Sequence, residues 1–158
     1  FLDKVKIPAI FFLPTTFIDN NRDDSGKIFF NNSLIKIEFL NWIDCKLISK
    51  NKLFSFGSHS LNHNILSKLS NDDSFKEMKN SKLEIEKKLN IKCEHFAPPV
   101  GDFLNPRDPN YSKEIGYKTF STTNRGKMIS LNSDSCLIYR HHLLANWDLS
   151  YLNFFFNK

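Results

Sequence analysis

The apolar positions of this chain fall into short, separated runs whose spacing switches between the period of a strand and that of a helix. Residues Pro8 to Leu13 form a run rich in Ile and Phe that Pro14 closes, the pattern of a strand buried on both faces in the middle of a parallel sheet. A polar loop, NNRDDSGK, follows. Ile35 to Phe39 then alternates apolar with charged residues and leaves edge strand or loop open. From Asn41, a suitable N-cap, a short helix is expected to about Ser49, with Trp42, Cys45 and Ile48 turned to the core. Leu53 to Phe56 reads as a second strand. A longer helix is expected from about Ser74 to Leu89, where Phe75, Met78, Ile85 and Leu89 share a face and Ser74 with Glu77 has capping-box spacing.

Three further strands complete the pattern. CEHFAPP reads as a strand stopped by Pro98 and Pro99, PNYSKEIGYKTFSTT as a helix closed by Gly116 and then a strand, and CLIYR as a fifth strand. NWDLSYLNFFF reads as a final helix with Asp148 in its first turn. Strands alternating with helices predict an α/β domain built on a parallel sheet or barrel, in which function gathers at the carboxyl ends of the strands.

Composition narrows this only a little. At 158 residues, 41% of them hydrophobic, the chain suits one domain with a sizeable core, residues 1–158. The 22 Lys and Arg against 17 Asp and Glu give a net charge of +5, but the basic residues are interleaved with acidic ones, which argues against a nucleic-acid surface. IPAIFFL is far too short to span a membrane. Cys45, Cys93 and Cys136 are widely separated and odd in number, so they read as core residues, with neither a disulfide framework nor a cysteine zinc site. FLDKVKIPAIFFL reads as the tail of a helix feeding a buried strand, so further sequence is expected before Phe1.

The candidate chemistry follows the strands. GSHSLNH, PPVGDF, STTNRG and RHH each come directly after one, so all four should converge on one rim. His59 and His63 lie four apart, and a chain that turned helically after the strand would bring both rings to one side, able to grip Zn²⁺, Cu²⁺, Ni²⁺ or Fe²⁺. On spacing alone, loop histidines satisfied by backbone and water are the commoner outcome; the neighbouring clusters reverse that preference. Asp23 and Asp24 sit among Asn, Arg, Ser and Gly and read as a solvated turn, His95 as a structural residue, and Phe11, Phe12 and Phe154 to Phe156 as core.

Taken in order, KIPAIFFLPTTFI, FSFGSHSLNHNILSKLS, HFAPPVGDF and EIGYKTFSTTNRG resemble successive segments of the polysaccharide deacetylase family, the NodB-homology or carbohydrate esterase 4 group. The resemblance implies a distorted (β/α) barrel, incomplete at its N-terminal strand, that removes acetyl groups from an N-acetylated carbohydrate with a divalent metal, most often zinc. It implies His59 and His63 as metal ligands beside an Asp, a second Asp as base on the bound water, and a late His that protonates the leaving amine. Tyr117 and the backbone near Pro99 and Gly101 would line the groove. Three departures follow. The family's Asp-Asp motif would fall before Phe1, so the chain as it stands is expected to be nearly inactive. Ala97 stands where many members carry an Arg that orients the base. YRHH matches the late motif only loosely, so His141 and His142 compete for the acid, with Arg140 as a partner for substrate or carboxylate; strand alternation favours His142. A noncatalytic sugar-binding module and a metal-free α/β domain are the rival readings.

Overall fold

The structure is a computed structural model that describes residues 1–18, 28–30, 33–35, 40–126, 136–140, 148 and 150. In chain order its elements are β1 (Ala9–Leu13), β2 (Ile28–Phe30), β3 (Ser33–Ile35), α1 (Trp42–Ile48), β4 (Phe54–Ser58), α2 (Asn71–Leu89), β5 (His95–Phe96), α3 (Arg107–Ile115), β6 (Thr119–Ser121) and β7 (Leu137–Ile138). β1, β4, β5, β6 and β7 form one sheet in that order, every neighbouring pair parallel. β2 and β3 make a separate antiparallel pair. Staves that follow the chain with helices between them are those of a (β/α) barrel, here incomplete. The expected final helix over residues 146–156 lies outside the described residues except at Asp148 and Ser150, as do Asp23 and Asp24.

The core lies between the sheet and its helices. Alternate strand residues point to opposite faces, so Phe11, Leu13, Phe56, Phe96 and Phe120 meet Trp42, Cys45, Met78, Ile85 and Leu89 from the helical side. Burying each large side chain of this set contributes roughly 1.5–3 kcal/mol. The other face turns to the barrel interior. Gly57 sits there under Phe12, where an added Cβ would come within 2.7 Å of the ring.

Most helix ends follow the sequence. Asn41 caps α1 by accepting from the Asp44 N–H at 2.8 Å, and Gly116 closes α3 at φ +90°. α2 differs. It starts three residues before the expected Ser74, with Ser70 as its cap, accepting from the Asp73 N–H at 3.2 Å. Ser74 and Glu77 are instead buried inside the helix and turned to other partners. Two S-x-x-acid patterns follow one another here, Ser70 to Asp73 and Ser74 to Glu77; the earlier one caps the helix, while Ser74 donates to the buried Asp108 Oδ1 at 2.7 Å.

Candidate functional site

β4 runs two residues past its expected end, to Ser58, and delivers His59 directly onto the carboxyl rim. The main chain of His59 donates to Leu13 O at the end of β1, at 2.9 Å. Its ring is held from the other side, with Nδ1 2.7 Å from Ala97 O just after β5. A carbonyl only accepts, so Nδ1 carries the proton and the Nε2 lone pair is left to accept. The ring is largely buried, and that burial lowers its pKa to about 4; the backbone hydrogen bond to Ala97 works against the shift, and the charges of His63 and Arg140 add to it.

The helical turn expected after β4 does not form. Residues 59 to 65 are irregular, and Ser60 (φ 66°) and His63 (φ 58°) adopt left-handed backbone. Such residues cost about 1–3 kcal/mol each and persist where surrounding contacts fix them. The loop nevertheless brings the two rings together. The His59 and His63 rings lie 4.9 Å apart, centroid to centroid, and 66° inclined. Phe17, in the 3-10 turn after β1, stacks on the outer side of His63 at 5.9 Å. Burial lowers the His63 pKa too, so both imidazoles are neutral at pH 7. Between them, Ser60 Oγ is buried with no hydrogen-bond partner among the described residues.

The rim continues on β6 and β7. The backbone alternation of β7 carries Arg140 inward, where Nε donates to Thr122 O (3.0 Å), Nη2 to Ser121 O (3.2 Å), and the guanidinium lies 5.4 Å from the Phe12 ring. The cation thus stacks on an aromatic face inside the barrel mouth. Pro99 to Gly101 form a 3-10 turn with Val100 at φ 50° and Gly101 at φ 75°. An added Cβ at Gly101 would lie 2.0 Å from Thr123 Oγ1, so only glycine fits between this turn and the loop after β6.

One expected site residue, Tyr117, sits elsewhere than the sequence suggested. Tyr117 does not reach the rim: it precedes β6, is 4% exposed, and donates its hydroxyl to Met78 O at 2.8 Å. Its ring packs on Phe96 in the core, so it lines no groove at the opposite strand ends. Pro99 is also buried and its carbonyl accepts from the Asp102 N–H at 3.2 Å, while the neighbouring Val100 is 53% exposed. Glu77 was hidden by its capping-box spacing, although an acidic residue at a core-facing helix position is the signal that could have revealed it. His141 and His142 lie outside the described residues. His95 is structural as expected, with Nδ1 2.9 Å from Thr119 Oγ1. Cys45, Cys93 and Cys136 form no disulfide, and burial pushes the Cys93 thiol up to about 12.

A five-stranded parallel sheet whose strands follow the chain is the architecture of an incomplete NodB-type barrel. The family model for polysaccharide deacetylase matches residues 1–120, and the chain belongs to that family. No curated protein sequence matches the chain. Among solved structures it is similar to the Streptococcus pyogenes deacetylase PplD in complex with acetate, at 24% identity and TM-score 0.72 over 96% of this chain and 59% of that one. It is similar as well to a de-N-acetylase from Aggregatibacter actinomycetemcomitans, at 15% identity and TM-score 0.79 over 98% and 67%. A carbohydrate esterase 4 pseudoenzyme from Bacillus anthracis matches at 22% identity and TM-score 0.56 over 75% and 34%. The chain therefore spans less than two thirds of the length of the Streptococcus protein.

Proposed function

We propose that this chain carries part of the catalytic domain of a divalent-metal-dependent hydrolase that removes N-acetyl groups from a carbohydrate, with His59 and His63 as two of the metal ligands. The carrying observation is the ring pair itself: two neutral imidazoles 4.9 Å apart on the carboxyl rim, one of them with its proton fixed on Nδ1 by Ala97 O. The donor chemistry fits the group. A hydrogen bond from the far ring nitrogen to a carbonyl is the usual support of a metal-binding histidine, and zinc is the ion such ligands most often hold. Among the described residues no group of three or more His, Cys, Asp or Glu could hold an ion, so the pair is read as part of the coordination shell.

A divalent ion bound there would polarise an amide carbonyl and acidify a water. The chain's own residues have other tasks. Ala97 O holds the His59 ring in one tautomer, and Phe17 and His59 flank His63 on either side. Arg140 brings a fixed positive charge to the same mouth, suited to an acyl oxygen or a carboxylate. His141 or His142, next along the chain, is assigned the proton donated to the leaving amine, with His142 favoured by alternation from Arg140.

The test is a zinc titration by calorimetry together with acetate release from N-acetylglucosamine oligosaccharides. Wild type is expected to bind zinc, and His59→Ala and His63→Ala each to weaken binding at least tenfold. Unchanged affinity in both variants removes them as ligands. Oligosaccharide binding with no acetate release by the full-length protein at saturating zinc would point to the noncatalytic reading instead, and binding of neither to a metal-free domain.

A further inference from the structure

Between His59 and His63 no regular secondary structure holds the chain, and the buried carboxylate of Glu77 accepts from four donors of residues 61 to 64. We propose that Glu77 is a positioning residue for the histidine pair, acting through the loop that joins them; the link to metal affinity rests on reading the pair as metal ligands. Glu77 lies in the second turn of α2 and is buried, 6% exposed. Its Oε2 accepts from the main-chain N–H of Leu61 at 3.0 Å and of Asn62 at 2.8 Å. Its Oε1 accepts from Asn62 Nδ2 at 2.6 Å and Asn64 Nδ2 at 3.1 Å. Every partner is a donor, the set that a carboxylate with two acceptor oxygens satisfies.

The opposite side of the loop is tied to the segment after β1. Thr15 N–H donates to Ser60 O at 3.3 Å, and Thr16 donates to Leu61 O through both N–H (3.0 Å) and Oγ1 (2.8 Å). Residues 60 to 62 are thus clamped between two threonines and one carboxylate. The clamp explains how Ser60 and His63 keep their left-handed backbone, the conformation that turns the His63 ring back toward His59. Without Glu77 the two main-chain donors and two side-chain amides lose their common acceptor. The loop can then relax to ordinary backbone, which swings His63 away.

The experiment compares wild type with Glu77→Ala, Glu77→Asp and Glu77→Gln, each shown by circular dichroism to be folded at 25 °C. Two readouts are taken: the nuclear Overhauser cross-peak between the His59 and His63 ring protons without metal, and calorimetric affinity for Zn²⁺ alone. Glu77→Ala should lose the cross-peak and weaken zinc at least tenfold. Glu77→Asp, retracted by one methylene, should lose at least threefold, and it decides the matter if the Ala variant does not fold. Glu77→Gln should recover most of the loss, since Oε1 can keep the two main-chain donors while Asn62 and Asn64 turn their oxygens to the new amide. A folded Ala or Asp variant with the wild-type cross-peak and affinity overturns the proposal, as does a Gln variant no better than Ala. Should wild type show the cross-peak and bind no zinc, the metal reading falls, and the cross-peak alone still decides the role of Glu77.

Discussion

His59 Nδ1 lies 2.7 Å from the carbonyl oxygen of Ala97, a contact between the end of β4 and the end of β5 that fixes which ring nitrogen carries the proton. Ala97 in turn donates its N–H to Ser58 O at 3.0 Å, so the same pair of strand ends is tied from both directions. The side chain at position 97 is immaterial to this bond. What counts is that β5 stops where its carbonyl meets the ring.

The first prediction concerns pH. With a folded pKa of about 4 against an ordinary 6.5, His59 stays neutral while its unfolded counterpart takes up a proton. A group depressed in this way favours the unfolded state as pH falls from about 6.5 to about 4, with no further loss below. At about 1.4 kcal/mol per pH unit, the loss across that window is at most about 3.5 kcal/mol. Urea denaturation at pH 7.5 and pH 4.5 should show it in wild type and much less of it in His59→Gln. Nitrogen shifts of the ring should report the Nδ1–H tautomer down to about pH 5, and a normal titration near 6.5 would refute the burial argument.

Gly101→Ala should destabilise the fold by about 2–4 kcal/mol, about 1 from the left-handed backbone and the rest from overlap with Thr123. Adding Thr123→Ala should return part of the steric share and none of the backbone share. Additive losses in the double variant would show that the two residues do not meet.

Asp108 is buried and accepts from Ser74 Oγ, from Leu104 N–H and from Arg107 Nε. Arg107 reaches on to Leu69 O and Leu66 O, just before α2. Asp108→Ala leaves these donors around an apolar methyl and should cost about 3–5 kcal/mol in chemical denaturation. A loss under about 1 kcal/mol would mean that water replaces the carboxylate at no penalty.

Tyr117→Phe removes one buried hydrogen bond, to Met78 O, and should cost about 1 kcal/mol of stability. Because the ring stands in the core and away from the rim, zinc affinity and any oligosaccharide binding should be unchanged. A change in glycan affinity at constant stability would return Tyr117 to the groove.

What the sequence determined by itself was whatever depends on periodicity and neighbours. The short apolar runs marked β1, β4 and the later strands, but the central, doubly buried place expected of β1 does not hold among the described residues, where it stands at one edge of the sheet with Ile10 42% exposed. Asn41 and Gly116 marked helix ends because capping is a bond between near neighbours. The ordered segments also carried the family and the barrel, and they singled out His59 and His63. Only the tertiary structure decided how those histidines meet. Their approach comes from left-handed residues at 60 and 63, held by Thr15, Thr16 and Glu77 from two other elements. Glu77 and Ser74 had local spacing that fitted a cap, yet the buried partners offered by the loop and by Asp108 outweighed it. Tyr117 precedes β6 in the chain, at the end of the strand away from the rim, and the structure adds that its hydroxyl reaches Met78 O in the core. Local bonds are written in adjacent residues, whereas the site is assembled from strand ends whose common position exists only once the sheet has closed around it.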